Sequence, residues 1–254
     1  MTSLLFALIF FGCQPEQIDP IQIPGKQDPI AADSTVAHLL TSEDTLDELP
    51  PDSLNYLALG DSYTIGQSVP VEERWPVQLA AKLNEETPLR VKDPKIVAVT
   101  GWTTTNLSNG MDAAEVDTME WDVVSLLIGV NNQYQGLPLP DYEDEYTELL
   151  ERAINLVGGD INKVFVVSIP DYGYTPFGVN NQTVISAELA NFNASCQSIT
   201  ESYGVAHYNI TPISQQWPDV PDLVAPDNLH PSGYQYTLWV DSFWESVKQQ
   251  LTSN

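Results

Sequence analysis

Four residues from distant parts of the chain could together carry out acyl transfer: Ser62, Asn131, Asp227 and His230. A serine hydroxyl is a weak nucleophile until a base takes its proton. Histidine is the natural base near neutral pH. His230 is the best placed of three histidines. His38 lies in a Pro-rich stretch, and His207 lies inside a strand-like run, where a hydrogen-bonded core role is expected. Asp227 precedes His230 by three residues and can fold back to accept a hydrogen bond from the imidazole, fixing its tautomer. Acyl transfer also needs donors for the oxyanion. The backbone N–H groups of Ser62 and Gly101 can supply two, and the Asn131 amide a third. Gly101 carries no Cβ that would keep the backbone from the reacting oxygen.

These residues are useful only if the fold gathers them. Five short apolar or β-branched runs read as strands: 56–59, 96–99, 123–128, 164–169 and 205–210. Several are apolar almost throughout, the pattern of parallel strands covered on both faces. Helical stripes lie between them. Tyr142, Tyr146, Leu149, Ala153 and Leu156 share one face, and Asp141, Glu143, Asp144 and Glu145 are expected in that helix's first turn. Ile185, Leu189, Phe192, Cys196, Ile199 and Tyr203 form another stripe, closed by Gly204, with Cys196 read as a small core residue. Ser232 and Gln235 have capping-box spacing ahead of a last helix that buries Tyr236, Val240, Phe243, Val247 and Leu251. Strand and helix alternate throughout, which predicts a three-layer α/β sandwich with right-handed crossovers.

In open α/β sheets ligands bind beyond the carboxyl ends of the strands. Those ends carry Gly60-Asp61-Ser62, then Thr100-Gly101-Trp102, Gly129-Val130-Asn131-Asn132 and Pro170-Asp171-Tyr172. A Pro-rich loop then leads to Asp227-Asn228-Leu229-His230. Each piece alone has a plainer reading. Gly-Asp-Ser is a short string, Asn131 can close a turn, Asp227 can cap, and His230 can lie on the surface. Their order and their shared rim give them weight together.

Read together, these blocks resemble the SGNH hydrolase family, also called GDSL esterases and lipases. Gly60-Asp61-Ser62 is similar to the family's first block, Gly101 to the glycine of the second, Gly129-Val130-Asn131-Asn132 to Gly-x-Asn-Asp, and Asp227 to His230 to Asp-x-x-His. The likeness runs from about Leu54 to the carboxyl end. It implies a flavodoxin-like αβα sandwich with a five-stranded parallel sheet. It also implies a Ser62–His230–Asp227 triad with Ser62, Gly101 and Asn131 around the oxyanion, and no metal or cofactor. Two positions depart from the pattern. Tyr63 stands where Leu or Ile is common, and Asn132 replaces an Asp that supports its loop. Altered packing of the rim, with activity kept, is the expectation for Asn132.

Composition narrows the partners. The 254 residues carry 35 Asp and Glu against nine Lys and Arg, a formal charge of −26. Phosphate backbones need cations to neutralise them, so nucleic acid is excluded as a partner. Two cysteines rule out a disulfide framework. Residues 3–12 form an apolar run ending at Cys13, shorter than the ~20 residues of a membrane span. The run reads as an export signal, and a small residue before Cys13 resembles a bacterial lipoprotein box. No Lys or Arg precedes it, which departs from that pattern. Residues 14–53 carry scattered Pro, Asp, Glu and Ser and read as an acidic linker with at most a short turn at 36–40. The expected organisation is an export segment at 1–13, a linker at 14–53 and a hydrolase domain at 54–254. The membrane would be met only through a lipid on Cys13, in the bacterial envelope or outside the cell.

Aromatic residues crowd the rim: Tyr63, Trp102, Tyr134, Tyr172, Tyr174 and Phe177. They can stack on a sugar, line an acyl pocket or shield the rim. Tyr63, Trp102, Asn132, Tyr134 and Tyr172 are taken as candidate pocket residues. The first expectation is hydrolysis of short-acyl carboxylic esters. Carbohydrate O-deacetylation, lysophospholipid or thioester hydrolysis, and an inactive glycan binder are the alternatives.

Overall fold

The computed structural model describes residues 53–252. Cys13, the 36–40 segment with His38, and the rest of the acidic stretch through Asp52 lie outside the described residues.

Five strands form one parallel sheet in the order β2-β1-β3-β4-β5. They are β1 (Tyr56–Gly60), β2 (Lys95–Ala98), β3 (Val123–Leu127), β4 (Val164–Val167) and β5 (Ala206–Tyr208). The three central strands are wholly buried, as their unbroken apolar runs require. The edge strand β5 is three residues long, shorter than its apolar run. Beyond it the Ser168 hydroxyl accepts from the N–H groups of Ile210 and Thr211, so the chain leaves the ladder there.

Helices cover both faces. On one side α2 (Trp75–Glu86) packs against α8 (Gly233–Thr252), and Trp75, Phe165, Tyr208 and Phe243 meet ring against ring. On the other lie α3 (Thr104–Ala113), α5 (Leu139–Leu156) and α6 (Gln182–Ser202). There the Tyr142 and Phe192 rings stand 4.8 Å apart, and the buried Tyr146 and Thr200 hydroxyls bond at 2.6 Å. Three short helices, α1 (Ser62–Ile65), α4 (Val130–Tyr134) and α7 (Thr211–Ser214), follow β1, β3 and β5. The sandwich and strand order are those of the expected flavodoxin-like class.

Several local expectations change in detail. Helix α5 starts at Leu139, so only Asp141 of the four carboxylates lies in its first turn. Glu143 and Glu145 instead accept hydroxyls from Ser195 and from Thr104 and Thr105. Ser232 caps α8 by accepting from the Gln235 N–H at 3.1 Å. The return half of the box is missing, because the Ser232 N–H bonds to the Leu223 carbonyl and so does the Gln235 side chain. Cys196 is buried as expected, and burial pushes its thiol up to about 11, which makes it unreactive. Among the described residues no helix is long and apolar enough to cross a membrane.

Candidate active site

The nucleophile position is built by a tight turn off β1. Asp61 caps α1, its Oδ1 accepting from the Tyr63 N–H at 3.0 Å. The Asp61 carboxyl is wholly buried, and burial, opposed by the hydrogen bond from Tyr63 N–H, pushes it up to about 7. Asp61 thus aims the turn that presents Ser62.

Two glycines are demanded by backbone shape. Gly101 has φ +88°, and a Cβ there would meet open space. The left-handed conformation by itself calls for glycine, and the open space lies on the cavity that Gly101 lines. Gly129, just before α4, has φ +129°, and a Cβ would come within 2.6 Å of Tyr142. Only glycine makes that turn.

A cavity of about 250 Å³ opens where these turns meet. Ser62, Gly101, Asn131 and His230 all line it, together with Tyr63, Tyr134 and Tyr172. The Asp227 carboxylate faces the imidazole from behind. Its Oδ2 lies 2.7 Å from His230 Nδ1, and its Oδ1 accepts from the N–H groups of Leu229 and His230 at 2.9 Å each. Desolvation raises the Asp227 pKa, but these bonds and one from the Ser68 hydroxyl outweigh it, holding the carboxyl at about 2. An ionised Asp227 keeps the Nδ1 proton in place and turns Nε2 free to act as base. The Tyr63 ring meets the imidazole edge-on, with centroids 6.0 Å apart.

Among the described residues no hydrogen bond joins Ser62 Oγ to the imidazole, although both line the cavity. Such contacts tighten when substrate binds. Neither the Ser62 nor the Gly101 N–H has an acceptor among the described residues, so both can serve an oxyanion. The Asn131 amide donates one N–H to the Trp102 carbonyl at 2.9 Å, and its second N–H is left for the cavity. Asn131→Ala should therefore lower kcat by on the order of 10²–10³-fold, the scale of one oxyanion donor, with little change in KM. Steady-state kinetics on a soluble ester checks this.

Trp102 and Asn132 are absent from the cavity wall, contrary to expectation. The indole packs on Gly110 of α3, and only the Trp102 carbonyl takes part. Asn132 is buried. Its Oδ1 accepts from the Thr104 N–H and its Nδ2 donates to the Thr104 hydroxyl, which in turn donates to Glu145. An aspartate could accept but not donate here. The departure at position 132 thus leaves the Thr104 proton free for Glu145.

Four successive residues of α4 tie different loops together. Asn131 and Asn132 hold the loop after β2. Gln133 accepts from the Tyr172 hydroxyl at 3.0 Å, and Tyr134 contacts the Tyr172 and Phe177 rings. Sequence reasoning also missed Ser68, at φ +69°, whose hydroxyl donates to Asp227 Oδ2 at 2.6 Å across 159 positions. A lone serine in a loop carries no periodic signal. His207 stays in β5 away from the cavity. Burial lowers its pKa, and its Nε2 has no hydrogen-bond partner, unlike the bonded core role expected. Among the described residues no cluster of His, Cys, Asp or Glu is placed to hold a metal ion.

A parallel α/β sandwich with these groups around one cavity at its carboxyl edge defines the class of α/β hydrolytic enzymes. The chain belongs to the GDSL-like lipase/acylhydrolase family, whose model matches residues 58–238, and it is a carboxylic ester hydrolase. No curated protein sequence matches it. Solved structures are similar in fold. The psychrotrophic esterase EstA from Pseudoalteromonas sp., inhibited by monoethylphosphonate, is 20% identical at a TM-score of 0.60, over 79% of this chain and 100% of that one. A lipase/acylhydrolase from Enterococcus faecalis is 16% identical at 0.60, over 79% and 98%. The acetylxylan esterase Axe2 from Geobacillus stearothermophilus is 19% identical at 0.58, over 79% and 95%.

Proposed function

We propose that the chain is an exported serine esterase acting on small, uncharged carboxylic esters by way of an acyl-enzyme. The observation that carries this reading is the Asp227-bound imidazole of His230 lining the same cavity as Ser62. His230 Nε2 takes the Ser62 proton as Oγ attacks the ester carbonyl. The oxyanion is held by the N–H groups of Ser62 and Gly101 and by the Asn131 amide. The alcohol leaves with the proton from His230, and water repeats the sequence on the acyl-enzyme.

The cavity volume of about 250 Å³ falls below the ~300–1,000 Å³ of sites for drug-sized ligands, which supports a short acyl group. A formal charge of −26 disfavours anionic substrates. Removal of an acetyl group from a glycan uses the same chemistry, and an acetylxylan esterase among the similar structures supports assaying acetylated xylan beside simple esters. The apolar run before Cys13 supports export and a lipid anchor on Cys13, which mass spectrometry of the mature terminus would detect as added acyl mass.

A phosphonate ester tests the nucleophile directly. Hydrolysis of p-nitrophenyl acetate should stop as one phosphonyl group is taken up, and peptide mapping should place it on Ser62. Label on another residue, or hydrolysis that survives full labelling, rejects the assignment.

A further inference from the structure

One wall of the cavity is an aromatic cup that the acyl-transfer chemistry does not use. The rings of Tyr134, Tyr172 and Phe177 stand in a triangle, with all three centroid distances between 6.2 and 6.3 Å and tilts of 44° to 69°. All three line the cavity that also holds Ser62 and His230. We propose that this cup selects esters bearing a planar aromatic ring on one arm, a specificity that rests on the esterase reading above.

The cup is held in place from outside. The Tyr172 hydroxyl donates to Gln133 Oε1, and Gln133 Nε2 donates to Glu188 at 2.6 Å. The Phe177 N–H donates to the Asn228 carbonyl at 3.0 Å, which ties the cup to the loop carrying His230. Tyr134 lies three residues beyond Asn131 on α4, so the helix that places the oxyanion donor also places the cup. These bonds tie the wall to the helix and the loop that carry the reacting centre.

Two of its three residues are exposed, while Tyr172 is buried. Tyr134 is 60% exposed and Phe177 51% exposed, although both have ring partners. Large apolar surface left open beside a reacting centre marks a binding surface. A sugar ring would need partners for several hydroxyls. Beyond the tyrosine hydroxyls the polar side chains on the cavity are few: Ser62, Asn131 and His230 serve the reaction, and the Thr100 hydroxyl donates to Gln67. A planar hydrocarbon ring needs no such partners. It can extend the edge-to-face pattern already present, which a saturated ring of the same size cannot.

Size-matched esters separate ring character from bulk. The pairs are benzyl acetate against cyclohexylmethyl acetate, and ethyl phenylacetate against ethyl cyclohexylacetate. In at least one pair wild-type kcat/KM should favour the phenyl compound by about tenfold. In the double variant Tyr134→Leu/Phe177→Leu, and in part in Phe177→Leu alone, that ratio should fall toward one. Wild-type ratios near one in both pairs, or a ratio that survives the double variant, would overturn the proposal. Binding of the same esters to Ser62→Ala, followed by NMR titration, separates the two readings. Tighter binding of the phenyl compounds with no turnover by the wild type would sink the esterase reading and keep the cup. Turnover of acetates with no phenyl preference in rate or binding would do the reverse.

Discussion

Ser62→Ala should lower kcat by roughly 10⁶-fold and leave the fold intact. The hydroxyl stands on a turn off β1 and lines the same cavity as the His230 imidazole, and without it no acyl-enzyme can form. The residual rate would come from the oxyanion donors and binding alone. The fold should tolerate the change because the Ser62 hydroxyl makes no hydrogen bond within the described residues, and alanine suits the first turn of a helix. Kinetics with a sensitive chromogenic ester, beside thermal unfolding of both proteins, checks the prediction. A loss below about tenfold would remove Ser62 from the mechanism, because deleting a nucleophile cannot be so mild.

Asp227→Asn should cost about 10⁴-fold in kcat with geometry preserved. The asparagine oxygen can still accept from the N–H groups of Leu229 and His230, so the loop keeps its shape. The amide nitrogen in place of Oδ2 cannot accept from His230 Nδ1. The imidazole then carries its proton on Nε2, where it cannot take one from Ser62. KM should move little, since Asp227 lies behind the imidazole and not on the cavity wall.

The same residue carries a pH signature. Its folded pKa of about 2 lies below the ordinary 3.8. Its charge therefore adds stability above pH 3.8, and that contribution is lost as pH falls through about 2. Chemical denaturation of wild type and Asp227→Asn should show a stability difference that shrinks across this acid range. Activity lost at milder acidity belongs to another group, because Asp227 is still ionised there.

Much of the fold was legible before any coordinates. Burial on both faces leaves an unbroken apolar run, and burial on one helical face leaves a stripe at three- and four-residue steps. Both are local properties, so all five strands and the long helices α5, α6 and α8 could be read from residue order. The candidate site was legible for a different reason. Ligand chemistry gathers at the carboxyl ends of parallel strands, and Ser62, Gly101, Asn131 and the Asp227–His230 pair follow strand-like runs in turn. Boundaries were less secure. Strand β5 is shorter than its apolar run because Ser168 draws the chain away, and α5 begins earlier than its acidic residues suggested.

What the residue order determined by itself is periodicity and local reach: an α/β alternation, and an Asp three positions before a His, close enough to fold back on it. Only the tertiary structure decided which loops touch. It gave Asn132 to Thr104 and left it off the cavity wall, drew Ser68 onto Asp227 from 159 positions away, and closed Tyr134, Tyr172 and Phe177 into one cup. These contacts depend on the paths of irregular loops across the end of a sheet, and such paths have no repeat in sequence for a reader to find.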